Sequence, residues 1–225
     1  MPGYPGPVRT LVPPGVYAPQ EDTDLLIGAL REEPLPDGAA VLDVGTGSGA
    51  LAIEAARRRG TRVTAVDVSW RAVCAARLNA RLARLRVRIR HGNLFAPVHG
   101  QSFDLILANP PYVPAPESDH APRGAARSWD AGRDGRLVLD RICREAPALL
   151  RPGGVLLVVH SALSCPDRTL THLRGAGLKA SVTRRRVIPF GPVLRSRESW
   201  LRERRLVATP GRREELVVVR AERPV

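Results

Sequence analysis

Short apolar runs alternate with amphipathic stretches along most of the chain. Ala39, Ala40, Val41, Leu42 and Val44 are nearly all apolar, as in a strand covered on both faces, and a glycine cluster follows directly. Helical spacing runs from Gly49 to about Arg59, with Gly60 as a C-terminal cap. Val63, Ala65 and Val66 form a second strand ending at Asp67, and Ser69 caps a helix in which Trp70, Val73, Arg77 and Leu78 recur at three- and four-residue spacing. Val87 and Ile89 alternate with arginines as strand three, and Phe103 to Ala108 is strand four. A Pro/Gly-rich stretch from Pro110 to Gly135 precedes a helix over Leu137 to Leu150, and Arg151-Pro152-Gly153-Gly154 turns into strand five, Val155 to Val159. Upstream, Thr23 or Asp22 caps a helix from about Asp24 to Arg31, with Leu25, Leu26 and Leu30 on one face and Pro34 and Pro36 beyond its end. Downstream, Thr169 to Leu173 predicts a helix. Ala180 to Ile188 and Glu215 to Val219 predict two strands joined by an Arg-rich connection, Arg195 to Arg205.

Strand and helix repeat at a period of about 20 to 25 residues, which implies βαβ units and a mostly parallel sheet. With no convincing crossover helix between the last two strands, the seventh must be antiparallel to the sixth. The expected fold is therefore α/β: a seven-stranded, mostly parallel sheet with an antiparallel last strand and helices on both faces. Pro2, Pro5, Pro7, Pro13, Pro14 and Pro19 make residues 1–20 an extended arm, and residues 21–225 are read as a single domain.

The chain has 225 residues, 44% of them hydrophobic, 25% charged and 4% aromatic, which excludes a disordered or fibrous protein. No apolar run reaches signal-peptide or membrane-span length, so a cytoplasmic protein without membrane contact is expected. Cys74, Cys143 and Cys165 are odd in number and far apart, which disfavours disulfides and a structural metal site. The net charge of +13 admits nucleic-acid contact, but only Lys179 among 35 basic residues is lysine, so a GC-rich coding bias that leaves a solvated basic surface is the preferred explanation.

After strand one comes Asp43-Val44-Gly45-Thr46-Gly47-Ser48-Gly49-Ala50. Gly45, Gly47 and Ala50 satisfy the dinucleotide pattern, with Asp67 about 20 residues on, so a dehydrogenase has to be weighed. Asp43 discriminates, because a carboxylate beside the loop repels a pyrophosphate and attracts an ammonium. S-adenosylmethionine carries an ammonium, a sulfonium and a ribose diol. On this reading Gly45, Gly47 and Gly49 let the backbone pass the methionyl part and Asp67 accepts the ribose hydroxyls. Asn93 either offers its amide to the adenine edge or simply forms a turn after Gly92. Thr46, Val68, Leu94 and Asn109 complete the candidate cofactor set. Asp104 supports the entrance of strand four.

Strand four ends in Asn109-Pro110-Pro111-Tyr112, at the edge where open α/β sheets bind ligands. If the Asn109 side-chain oxygen and the Pro110 carbonyl each accept one N–H of a planar NH2 group, they aim its nitrogen at a methyl sulfonium. Pro111 stiffens the Pro110 carbonyl and Tyr112 can stack on the acceptor. Catalysis then rests on positioning, with no base needed before attack.

Leu42 to Gly49 followed by Asn109 to Tyr112 resembles the HemK-like glutamine-N5 methyltransferases, class I S-adenosylmethionine enzymes with a Rossmann-like sheet that modify translation release factors. Val16 to Leu26 is similar to the eukaryotic and archaeal branch, which lacks the bacterial helical substrate domain. Trp129 to Arg136 is similar too, with Ala131 replacing a glycine, whereas Asn93 stands where many relatives have aspartate. The resemblance covers Val16 to Ser161 best. It implies a protein substrate such as a release factor and leaves two assemblies open: a self-sufficient monomer or homodimer, or a complex with a small zinc-binding activator subunit, in which case an apolar sheet edge or patch stays exposed. The residues alone leave open an adenine-N6 or small-molecule N-methyltransferase, and an inactive binding module of the same fold.

Overall fold

The computed structural model describes residues 10–116, 126, 128–207 and 212–225. Pro2, Pro5 and Pro7 of the expected arm, and part of the stretch after Pro110, lie outside them. The chain runs α1 (Glu21–Glu32), β1 (Ala40–Val44), α2 (Ala50–Ala56), β2 (Arg62–Asp67), α3 (Trp70–Leu82), β3 (Val87–His91), β4 (Phe103–Ala108), α4 (Leu139–Glu145), β5 (Leu150–Ser161), α5 (Pro166–Gly175), β6 (Lys179–Pro189), α6 (Pro192–Ser196), α7 (Glu198–Glu203) and β7 (Arg213–Glu222).

All seven strands join one sheet in the order β3-β2-β1-β4-β5-β7-β6. β1 to β5 pair in parallel, and β7 inserts between β5 and β6, antiparallel to both. The sheet is sandwiched because its strands are apolar on both sides. Val41, Leu105 and Leu107 pack with α1, α2 and α3, while Leu42, Ile106 and Leu156 pack with α4 and Leu173 of α5. Asp104 is structural: its carboxylate accepts from Ala40 N and from the Arg151 guanidinium, both at 2.7 Å, tying the entrances of β1, β4 and β5 together.

Four local expectations are corrected. α1 starts one turn early, with Gln20 at its N-cap, so neither Asp22 nor Thr23 caps it. Both point inward instead, 3% exposed. On α3 the stripe divides: Val73 is buried with Ala72, Ala75, Ala76 and Ala80, but Trp70, Arg77 and Leu78 face out. α4 gives way to a tighter 3-10 turn at Ala146–Leu149, because Pro147 has no N–H for a helical ladder. Finally, the Arg-rich connection holds two short helices, anchored by buried Leu194 and Leu201, although β6 and β7 remain antiparallel as expected.

Candidate functional site

Val44 pairs with Val66 on one side and Ala108 on the other, so β1, β2 and β4 release their chains at one level of the sheet. The strand order reverses between β1 and β4, where an open α/β sheet leaves a crevice. A cavity of about 320 Å³ occupies it. Gly45, Thr46 and Gly47, Asp67 and Val68, Asn93 and Leu94, and Asn109, Pro110, Pro111 and Tyr112 all line this one space.

The loop after β1 folds tightly. Gly45 N and Thr46 N donate to Val66 O, and Gly45 (φ +74°), Gly47 (+55°) and Gly49 (+88°) hold left-handed conformations that disfavour a Cβ. Gly49 does not reach the cavity wall: it lets α3 close in, since a Cβ there would lie 3.1 Å from Ala76 Cβ. Asp43 does not line the cavity either. It is fully buried beneath the loop, where Oδ2 accepts from the Thr46 hydroxyl and Ala52 N. Its Oδ1 has no partner among the described residues, and burial pushes the carboxyl up to about 7. The structure thus places Asp43 under the loop rather than beside it. Asp67 does face the cavity, pinned by Gly47 N at 2.9 Å on Oδ2 and Ser69 N at 2.8 Å on Oδ1. Burial raises its pKa as well.

Asn93 sits in the turn after β3, its backbone carbonyl accepting from Ala96 N and its side-chain oxygen from Arg141 at 3.1 Å. The turn-forming role is therefore present, and the free part of the side chain is the NH2 group.

At the other end of the cavity, Asn109 Nδ2 donates to Thr23 Oγ1 at 3.3 Å. The Tyr112 hydroxyl donates to Asp22 at 3.0 Å, and its ring packs against the core beside α1. The segment after Tyr112 is clamped by Trp129 to Gly135. Val113 and Asp130 form a β-bridge, Ala115 N donates to Gly132 O, and Ser164 Oγ donates to Tyr112 O at 2.8 Å. Arg136, 2% exposed, ties the clamp to the start of α5 through Ser164 O, Cys165 O and Thr169 Oγ1.

Sequence reasoning missed Tyr17, Asp22, Thr23, Trp129 and Glu214 as cavity residues. Tyr17 donates to Asp22 at 2.7 Å, and burial beside that carboxylate drives its pKa upward. Glu214, at the start of β7, takes the Ser161 hydroxyl and leaves Oε2 buried without a partner among the described residues; burial pushes it up to about 7. The available signal was Asp22-Thr23 on the apolar face of α1, three and four residues before Leu25, Leu26 and Ile27.

Residues 8–122 match the family model described as the methyltransferase small domain. A putative protein N5-glutamine methyltransferase of Methanocaldococcus jannaschii is 34% identical over 81% of this chain and 91% of its own length. The chain belongs to the methyltransferase small domain family. A release factor glutamine methyltransferase of Geobacter sulfurreducens is 39% identical over 66% of the chain, which spans only 54% of that longer relative. Among solved structures, the E. cuniculi Mtq2–Trm112 complex has the same fold, with a TM-score of 0.65, 22% identity and coverage of 93% of this chain and 99% of that one. As a member of this methyltransferase family the chain uses S-adenosylmethionine. Its site fits that cofactor: a loop of left-handed glycines bounds the cavity, one pinned carboxylate faces it, and a second carboxylate with an orphaned oxygen lies under the loop. No described helix is long and apolar enough to cross a membrane.

Proposed function

We propose that this methyltransferase modifies the side-chain amide nitrogen of a glutamine in a translation release factor, in the cytoplasm. The observation that carries the reading is the state of Asn109. Its NH2 group is held by Thr23, no described residue donates to its Oδ1, and the side chain lines the cavity next to Pro110. An oxygen so presented, beside a backbone carbonyl, suits a planar NH2 group that must be oriented rather than deprotonated. The names borne by the M. jannaschii and G. sulfurreducens relatives support an amide over other planar amines.

S-adenosylmethionine, when bound, supplies an electrophilic methyl group. Asp67 is positioned to accept ribose hydroxyls, and Gly45, Thr46 and Gly47, with Val68 and Leu94, shape the donor end. Asp43 sets the charge beneath the loop without touching the wall. Asn109 and the Pro110 carbonyl hold the acceptor amide, Pro111 keeps that carbonyl in place, and Tyr112 walls the acceptor end.

Purified enzyme, labelled S-adenosylmethionine and three acceptors test this: a release factor, the same factor with its glutamine replaced, and adenine-containing nucleic acid. Label is expected in the first alone. Asn109→Ala should keep cofactor affinity while turnover falls by roughly 10²-fold. Label in adenine, or full turnover by Asn109→Ala, would overturn the reading.

A small partner subunit belongs to the same proposal. Mtq2 was solved with Trm112, and here β3 forms one edge of the sheet while Trp70, Leu78 and Leu82 of the neighbouring α3 are exposed. Exposed apolar side chains beside a sheet edge support a docking site for such a subunit.

A further inference from the structure

A primary amide can present either its oxygen or its NH2 group to a pocket, and the two senses differ only by a rotation of 180° about the terminal bond. If Asn109 turned its NH2 group inward, donors would meet the acceptor's donors. Something must therefore select the sense, and a chain of hydrogen bonds from the first turn of α1 does so.

The chain starts at Asp22, because a carboxylate only accepts. Its Oδ2 takes the Tyr17 hydroxyl at 2.7 Å and the Tyr112 hydroxyl at 3.0 Å. Its Oδ1 takes Thr23 N at 2.6 Å and the Thr23 hydroxyl at 3.2 Å. The single hydroxyl proton of Thr23 is thereby committed, which leaves its oxygen as an acceptor. Asn109 meets that oxygen at 3.3 Å. With Nδ2 toward Thr23 the contact is a hydrogen bond, whereas with Oδ1 toward Thr23 two oxygens with no shared proton face each other.

We infer that Asp22 and Thr23 are positioning residues for the methyl transfer: Thr23 fixes the sense of the Asn109 amide so that its oxygen faces the acceptor, and Asp22 fixes Thr23 and the Tyr112 ring together. The inference rests on the acceptor reading of Asn109. It also explains why two polar residues occupy the buried face of α1 instead of capping it, at 3% exposure each. The contact is long for a hydrogen bond to a hydroxyl, which suits a device whose output is direction rather than strength.

The test uses the full-length enzyme with its release-factor acceptor. Thr23→Val, nearly isosteric but without the hydroxyl, should lower kcat/KM for the acceptor roughly tenfold, while the S-adenosylmethionine dissociation constant stays within about twofold. Thr23→Ser should restore activity. In an Asn109→Asp background, whose two oxygens are equivalent, Thr23→Val should cost markedly less than in the wild type. A readout independent of turnover is the Asn109 side-chain NH2 resonance, whose slow solvent exchange should be lost in Thr23→Val and kept in Thr23→Ser. Wild-type kcat/KM and an unchanged resonance in Thr23→Val would overturn the inference while Asn109→Ala remained inactive. An equal loss in the Asn109→Asp background would overturn it too, by showing a merely structural role. Full activity in Asn109→Ala would instead remove the acceptor reading and this inference with it.

Discussion

Asp43 and Asp67 lie near the ends of adjacent strands, yet only Asp67 faces the cavity, held by two backbone N–H groups. Asp67→Ala should weaken S-adenosylmethionine binding by roughly tenfold to a hundredfold, the loss of charge-assisted hydrogen bonds, as read by calorimetry. Glu214 supplies a pH test. Its carboxyl ionises near 4.5 in an ordinary setting and near 7 in the fold, so the folded form holds a proton that the unfolded form releases. Stability from this source is complete below 4.5 and lost as pH rises through about 7. Glu214→Gln, neutral throughout, should shrink the fall in melting temperature between about pH 5 and pH 8 by a few degrees, while Asp43 keeps some slope in place. Glycines and Asn109 to Tyr112 were legible because their chemistry is consecutive in the chain. Asp22, Thr23 and Glu214 were not, since an acid before an apolar helix reads as a cap and a glutamate after arginines reads as surface.

The central parallel strands β1 and β4 were readable because burial on both faces leaves nearly unbroken apolar runs. β4 begins and ends where its residues predict, whereas edge strand β3 was readable from the alternation of Val87 and Ile89 with arginines. α6 and α7 were not, because five- and six-residue helices carry too few turns for a periodicity and depend on single anchors, Leu194 and Leu201. Between β4 and α4 the important feature is the clamp on the acceptor loop. A Cβ on Gly135 would stand 2.4 Å from the Tyr112 carbonyl oxygen and 2.6 Å from Ser164 Oγ, at φ +71°. Gly135→Ala should therefore displace Tyr112 and cost about 1–3 kcal/mol of stability, measurable by denaturant unfolding, with turnover falling more than cofactor affinity. The same substitution at Gly38, which has nothing within 4 Å but a similar φ of +74°, isolates the backbone contribution.

Across the whole molecule, many of the basic residues are held in pairs with carboxylates, while the net charge of +13 is the excess that remains after every carboxylate is counted. Arg220 grips buried Glu33 through two nitrogens and also meets Glu222, and Arg151 meets Asp104. Such pairing accounts for many arginines without any polyanion, and it could not be read from composition because it depends on which strands are neighbours. The proposed partner surface is testable at this scale: Leu78→Asp with Leu82→Asp, both on the outer face of α3, should leave the melting temperature within about 2 °C and abolish co-purification with a Trm112-like subunit. The reversed direction of β7 has a separate consequence. A parallel strand would bring its last residues to the cavity, but this one brings its first residues, so Glu214, the second residue of β7, arrives with α6 and α7 upstream. On the proposed reading, donor recognition lies in the stretch that ends near Leu94, while the acceptor mouth draws on outlying segments on either side of it, Tyr17 to Thr23 before and Gly191 to Leu194 with Glu214 after. Divergence in those two segments can retune what is methylated while the methyl donor's half of the pocket is inherited unchanged.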